Sequence, residues 1–497
     1  MRHGCKAEGA VSVFTRLTRE EVLGALPLKA VRRRKGYHWF VVGTVCIGAF
    51  MAALDASIIN IALPVLKKQF DVGMHIIEWV SLVYLLTLGG LIVPFGRLAD
   101  LFGRRWMYAL GFTVFIVGSA MCGWAPSLLF LLVARVVQAV GAAMLQANSV
   151  AIITAAAPAS DRGKAIGFQA SAQGIGLSLG PAVGGALLAL WNWRWIFFVN
   201  LPIGVIGTVL GILLLPEDEK RAGREPFDYA GAALLAPTLV ALIYFLNMGV
   251  KEGWASSFVV SSYVVFIVGL AAFWFVEKRS EAPMVDLSLF KNRTFVLGNV
   301  TGVLSFAVMY AVLLLYPFYL DDVRHMNPFH SGLFLSVVPI GMTLLTPASG
   351  AVADRVGSRL PVMFGMAMAC IGCVVLALVP ATAGLTPILI GLFLVGAGLG
   401  AFTPPNNSRV MGSAPAHHLG VAGGILNMSR TLGMGLGIAL GGLCYQLFLA
   451  VQGVVQESAA PLGAMIHAFH WSFLVVAGIA AVTWILSSLK VLHPVQK

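Results

Sequence analysis

Gly96-Arg97-Leu98-Ala99-Asp100-Leu101-Phe102-Gly103-Arg104-Arg105 is a short charged stretch between two long apolar segments, and its reading decides the fold. It is too brief to cross a bilayer, so the segments it joins must be antiparallel neighbours that enter from the same face. Gly96 and Gly103 allow a tight turn where a side chain would clash. Asp100 is placed to accept from exposed backbone N–H groups or from an arginine, and Arg104 and Arg105 open the next segment with charge that favours the cytoplasmic side. The device recurs as Gly350-Ala351-Val352-Ala353-Asp354-Arg355-Val356-Gly357-Ser358-Arg359. Asp100 and Asp354 lie 254 residues apart, an offset that points to two related halves with extra chain between them.

Composition agrees. Of 497 residues, 59% are hydrophobic and 11% charged, against about 25% charged in soluble domains. A soluble fold of this length has too little interior for so many apolar stretches, so the chain reads as an all-α polytopic membrane protein. The net charge of +12 lies in short connections and the N-terminal tail, where anionic lipid and the inside-positive bias would place it. No arginine-rich face with interleaved aromatics accompanies it, so no nucleic-acid partner is expected. Cys370-x-x-Cys373 has zinc-pair spacing only, inside an apolar run, and reads as packing.

From Trp39 onward fourteen spans are long enough to cross as helices: 39–63, 76–96, 106–124, 128–153, 165–190, 195–215, 228–248, 257–276, 295–320, 331–350, 360–380, 385–404, 417–446 and 467–488. With the N-terminus inside, 26 Lys/Arg fall on the cytoplasmic side and five outside, which supports an even span count and two cytoplasmic termini. Equivalent hinges after the second and tenth spans give a six plus two plus six arrangement. The expected divisions are a basic cytoplasmic tail (1–37), a six-helix bundle (38–216), a two-helix insert with its flanking loops (217–293), a second six-helix bundle (294–490) and a cytoplasmic tail (491–497).

Some groups are costly in a membrane. Asp55 stands about 24 Å along the first helix; it must be protonated or else face a polar cavity and a partner, and such a group can exchange a proton when its exposure changes, a purely structural, permanently paired acid being the other reading. Arg135, in the fourth span at a comparable depth, is the natural partner, because a guanidinium must find acceptors rather than deprotonate. A helix-packing anchor is the other reading of it. Gln138 shares its helix face. Asn60, Gln138, Asn427 and Arg430 are the candidate polar groups of a cavity, Arg430 being open to a second reading as a residue bonded to backbone carbonyls. Gly176, Gly180, Pro181, Gly184 and Gly185 crowd the fifth span and suit close helix contact and a bend at an outward gate.

His417-His418 and His467 with His470 lie at opposite helix starts and share no carboxylate, so no metal site is expected. No Walker lysine motif, HExxH or nucleophile–base arrangement is visible. The chain does not read as an enzyme, no cofactor is expected, and its work must be driven by a gradient or a partner.

The combination resembles the major facilitator superfamily, and within it the fourteen-spanner drug:proton antiporters. Gly96 to Arg105 is similar to the signature loop after the second helix, and Gly350 to Arg359 to its second-half echo. Leu54-Asp55-x-Ser57-Ile58-Ile59-Asn60-x-Ala62-Leu63-Pro64 resembles that family's first-helix signature. Arg135-Val136-Val137-Gln138 resembles the proton-linked fourth-helix motif, and Gly176 through Gly185 the fifth-helix antiporter motif. Two departures stand out. Leu101 replaces the usual arginine, a change expected to weaken locking on that side while Arg355 keeps it in the second half; Ala139 replaces a glycine.

The resemblance implies a major facilitator fold in which two six-helix bundles rock about a central cavity, exchanging an entering proton for a leaving amphipathic organic compound. Asp55 would carry the proton, Arg135 would tune it, and the hinges (Gly96, Asp100, Gly103, Arg104, Arg105; Gly350, Asp354, Arg355, Gly357, Arg359) would control the inward-facing state. The implied setting is a bacterial cytoplasmic membrane, with protons, substrate and lipid as partners and the monomer as functional unit. Alternatives are a dedicated exporter of a metabolite, self-made antibiotic or lipid and, remotely, a non-transporting receptor or scaffold.

Overall fold

The computed structural model describes residues 36–158, 160–216, 228–280, 287–415, 419–454 and 460–489. Most of the basic tail, the polar connection after residue 216, His417-His418 and the C-terminal tail lie outside them. In lipid every backbone polar group must be satisfied internally, and helices do this within a single segment. Among the described residues the chain is helical apart from turns and short connections, with fourteen helices long and apolar enough to span. In chain order they are α1 (Tyr37–Phe70), α2 (Met74–Phe102), α3 (Arg104–Gly123), α4 (Leu128–Ala156), α5 (Arg162–Leu190), α6 (Trp195–Leu214) and α7 (Tyr229–Glu252). They continue as α8 (Ser257–Arg279), α9 (Arg293–Val323), α10 (Pro328–Val356), α11 (Arg359–Leu378), α12 (Leu385–Gly412), α13 (Leu419–Val451) and α14 (Leu462–Ser488).

Several helices overrun the apolar spans, because hydrogen bonding ends a helix and lipid thickness does not. The hinges show this most clearly, and they correct the expected role of two glycines. Gly96 and Gly350 lie inside α2 and α10 with open space where a side chain would point. The turns are made by Gly103 (φ 98°) and Gly357 (φ 84°) alone, in the left-handed region that penalises any Cβ.

Helix pairing repeats across the chain. In the first half α1 packs on α5, α2 on α4, α3 on α4 and α3 on α6; eight helices later α9 packs on α13, α10 on α12, α11 on α12 and α11 on α14. Since lipid gives apolar helices no hydrophobic reason to associate, close van der Waals contact must hold them, and small residues permit it. A Cβ on Gly118 of α3 would reach the Gln138 backbone on α4, and one on Gly372 of α11 would stand 2.8 Å from Gly391 O and Val395 N on α12. These glycines are separated by 254 residues, the same offset as the hinge aspartates.

The halves meet along two seams, α2 with α13 and α5 with α10. Helix α7 lies against both α2 and α13, and α8 packs on α7 with nearly all of its apolar surface outward. Asn247 of α7 is fully buried, accepting from Trp79 Nε1 at 2.9 Å and donating to the buried carboxylate of Glu78 at the start of α2.

Candidate functional site

The α1–α5 contact sets the depth of Asp55. A Cβ on Gly176 would stand 2.5 Å from Phe50 O, one on Gly184 2.7 Å from Ile58 and Ile61, and one on Gly180 would collide with the Ser57 hydroxyl. This stripe seats α1 within its own half. Gly185 alone faces the other half, where a Cβ would be 2.5 Å from Pro328 O of α10, and a Cβ on Gly332 would strike the Pro181 carbonyl in return. The fifth-helix motif therefore serves two contacts, and only its outer end belongs to a seam between halves; Pro181 lies within the continuous α5 helix.

Asp55 and Arg135 come together at 2.7 Å, and both are fully buried. The other Asp55 oxygen accepts from Gln138 Nε2 at 2.8 Å and Asn200 Nδ2 at 3.0 Å. Arg135 also donates to Gln138 Oε1 at 2.7 Å and, through Nε, to the Val80 carbonyl at 3.1 Å, and its guanidinium lies 4.2 Å from the Tyr84 ring centroid. Ser119 accepts from both Gln138 and Asn200 at 3.1 Å and donates to the Phe197 carbonyl at 2.8 Å. Five helices of one half thus close a network in which a buried anion and a buried cation satisfy one another, the condition for tolerating either in low dielectric.

Beside it, between the halves, lies a narrow cavity lined by residues of both. Its polar lining is Gln146, Gln173, Tyr310, Asn427, Arg430 and Thr431; Ala52, Ala56, Leu85, Leu88 and Met434 supply apolar wall. Asn427 and Arg430 are among these lining residues. Gln138 and Asn60 are not and correct the expectation: Gln138 is consumed by the Asp55 network, while Asn60 is buried away from the cavity, its amide without a hydrogen-bond partner among the described residues. Arg430 donates to the Gln173 side chain across the halves at 3.3 Å, with no bond to a backbone carbonyl among the described residues, and lies 5.1 Å from the Phe306 ring centroid.

The two ends of the seam differ. Away from the hinges, Lys67 meets Asp322 at 3.3 Å and Lys68 meets Asp321 at 2.7 Å, joining α1 to α9. Both aspartates sit on a π-helical turn, Tyr319–Val323, that follows Pro317. Toward the hinges the facing stripe opens: Gly167 and Ser171 of α5 and Pro347 and Asp354 of α10 are exposed. Two ion pairs therefore tie the far end of this seam, while these residues of α5 and α10 stay exposed at the hinge end.

The two hinges differ in their contacts. Asp100 accepts from Arg104 Nε at 3.0 Å and from its terminal nitrogen at 2.7 Å, and buried Arg105 donates to the Ile212 carbonyl at 2.6 Å. Asp354 is exposed and makes no such pair among the described residues, and Arg355 is likewise exposed; Arg359 reaches the Ser488 carbonyl. The contacts at the first hinge are made by residues three and four positions beyond Leu101.

Ser119, Gln146, Gln173 and Glu78 carry no motif of their own and were not expected at these sites. Asn200 stands in the Trp193 to Gly204 stretch, which is also typical of the resembled family; its tryptophans read as an interfacial belt and give Asn200 no role by themselves. Among the described residues no three His, Cys, Asp or Glu side chains converge, and His467 is occupied by the Trp471 indole at 2.9 Å.

A sequence model of the Major Facilitator Superfamily matches residues 45–245 and 227–438. The chain is 35% identical over 402 residues to the riboflavin transporter RibZ of Clostridioides difficile, covering 81% of this chain and 87% of that protein. It is also 35% identical over 395 residues to the multidrug resistance protein Stp of Mycobacterium tuberculosis, covering 79% and 73%. A POT family transporter solved with a thioalcohol-conjugated peptide superposes with a TM-score of 0.67 at 15% identity, covering 93% of this chain and 97% of that one, a likeness of fold. The chain belongs to the Major Facilitator Superfamily. It is a multi-pass bacterial membrane protein of a non-catalytic class that moves small molecules across the membrane.

Proposed function

We propose that the protein is a proton-coupled antiporter that exports amphipathic organic compounds, drugs among them, across the bacterial cytoplasmic membrane by alternating access. The observation that carries this reading is the sealed Asp55–Arg135 pair one helix face away from a central cavity. Oδ2 of Asp55 accepts from Arg135 and Oδ1 from Gln138 and Asn200, so a proton on the carboxylate removes the charge that holds Arg135 and weakens the tie between α1 and α4. Arg135 cannot surrender its own proton, so the pair opens when Asp55 gains one. Proton loading and helix rearrangement are then one event.

With the hinges cytoplasmic, as the basic residues favour, the described conformation is inward-facing. The lysine–aspartate bridges and the Gly185–Gly332 contact form the outer gate, and the hinges brace the inner one. The bundles 38–216 and 294–490 move as units about the cavity, the insert of 217–293 rides on the α2–α13 seam, and the monomer suffices. The similarity to a protein named as a multidrug resistance protein supports a broad substrate range; the similarity to one named as a riboflavin transporter supports the second reading, a dedicated metabolite exporter.

The test is reconstitution in vesicles carrying an internal pH dye, with amphipathic compounds of either charge added under an imposed proton gradient. Compound-triggered proton flux that Asp55→Asn abolishes supports the reading, and undiminished flux in the variant removes Asp55 from the coupling role.

A further inference from the structure

The cavity's charge carries information that the family resemblance does not. Of its lining residues only Arg430 bears a charge, and no Asp or Glu is among them. Asp55 lies on the neighbouring face of α1 and is neutralised by Arg135 inside a closed network, so it presents no negative charge to the cavity. Arg430 has no carboxylate within 4 Å among the described residues; its one hydrogen bond goes to Gln173 and its other contact is the Phe306 ring. A guanidinium has five N–H donors and stays charged, so several donors and a full positive charge are left to the cavity.

We propose, on the reading that this cavity is the transport site, that it selects amphipathic organic anions: an apolar body carrying one carboxylate or acidic phenol that pairs with Arg430. The Tyr310 hydroxyl is a second, independent pointer. It lines the same cavity, the residue is 1% exposed, and the hydroxyl has no hydrogen-bond partner among the described residues. A buried hydroxyl is costly to leave unpaired, and an anionic oxygen on Arg430 gives it an acceptor. Gln146 and Asn427 add orienting amides, while Ala52, Ala53 and Ala56 of α1 leave a wall of small side chains against which a flat ring can lie. A lipophilic cation finds no carboxylate here and must approach an uncompensated guanidinium in low dielectric, where like charges repel strongly.

The experiment measures equilibrium binding to purified full-length protein in detergent by fluorescence polarisation, using anthracene-9-carboxylate, its neutral amide and 9-anthracenylmethylammonium. The carboxylate is expected to bind about tenfold or more tightly than the ammonium, with the amide between. Arg430→Gln should bring the three within about twofold, Arg430→Lys should keep their order, and Tyr310→Phe should weaken the carboxylate severalfold without changing the order. Size-exclusion elution identical to wild type checks that each variant folds; if Arg430→Gln does not, the wild-type order and the Tyr310→Phe effect decide. Tighter or equal binding of the ammonium, no saturable binding of the carboxylate, or an order unchanged in folded Arg430→Gln overturns the proposal. Binding needs no gradient, so its outcome is independent of the flux assay on Asp55→Asn that tests proton coupling.

Discussion

Arg135 and Asp55 face each other at 2.7 Å, 80 positions apart in sequence, with no solvent reaching either side chain. The arginine also holds Gln138 and the Val80 carbonyl, so one planar guanidinium ties α4 to α1 and α2 at once. A lysine ammonium is a point charge on a flexible stem and cannot span those acceptors together. Arg135→Lys is therefore expected to lower stability by about 2–3 kcal/mol, the worth of a hydrogen bond to a charged group, and to cut gradient-driven transport by about tenfold or more. Thermal unfolding in detergent and vesicle uptake check the two effects; wild-type uptake by the lysine variant counts against the pair.

Asn200 donates to Asp55 and to Ser119 and is fully buried. Asn200→Leu, close in volume but without donors, leaves both acceptors short. Its expected cost is about 1.5–3 kcal/mol, with uptake reduced and the detergent-solubilised protein still monodisperse. Unfolding at the wild-type temperature would show that the network tolerates the loss of this donor.

The outer seam depends on two glycines. A methyl group on Gly332 meets the Pro181 carbonyl, backbone against backbone, with no flexible side chain to yield. Gly332→Ala should therefore hold α5 and α10 apart on that side and move the population toward the state open away from the hinges. Spin labels at the far ends of α5 and α10 should report a distance several ångströms longer than in wild type. An unchanged distance distribution contradicts the assignment of this contact as a gate.

Asn247 ties the insert to the start of α2. Asn247→Leu removes the acceptor of Trp79 and a donor to the buried Glu78 carboxylate, so a loss of about 2–3 kcal/mol is expected. Binding in the cavity, lined by other helices, should hold its wild-type affinity. Lost binding with wild-type stability would instead make α7 part of the transport path.

Much of this was legible in the sequence because the membrane leaves few options. Apolar length gives the spans, and the two aspartate hinges give the repeat. Asp55 and Arg135 were conspicuous since an ionised group in a span needs a reason. Harder to read were groups whose meaning depends on partners from distant helices. Asn60 and Gln138 look alike in sequence as polar residues in apolar helices; only packing sends Gln138 into the network and Asn60 to neither network nor cavity. Gly96 and Gly103 both read as turn glycines, yet hydrogen bonding carries α2 past the first and stops it at the second. Gln146 and Gln173 sit among ordinary small and apolar neighbours, and nothing local marks them, while the aromatics before Asn200 point to an interface. The π turn that aims Asp321 and Asp322 at Lys67 and Lys68 follows Pro317, a cue visible only once the bridges are known.

The most direct test separates coupling from movement. Vesicles containing wild type or Asp55→Asn are loaded with a transported compound, and two rates are measured: accumulation against a gradient of the compound driven by protons, and exchange of labelled for unlabelled compound with no proton gradient. The account predicts that Asp55→Asn loses driven accumulation and retains exchange, because the cavity and gates survive while the proton site does not. Driven accumulation at the wild-type rate in Asp55→Asn would contradict it.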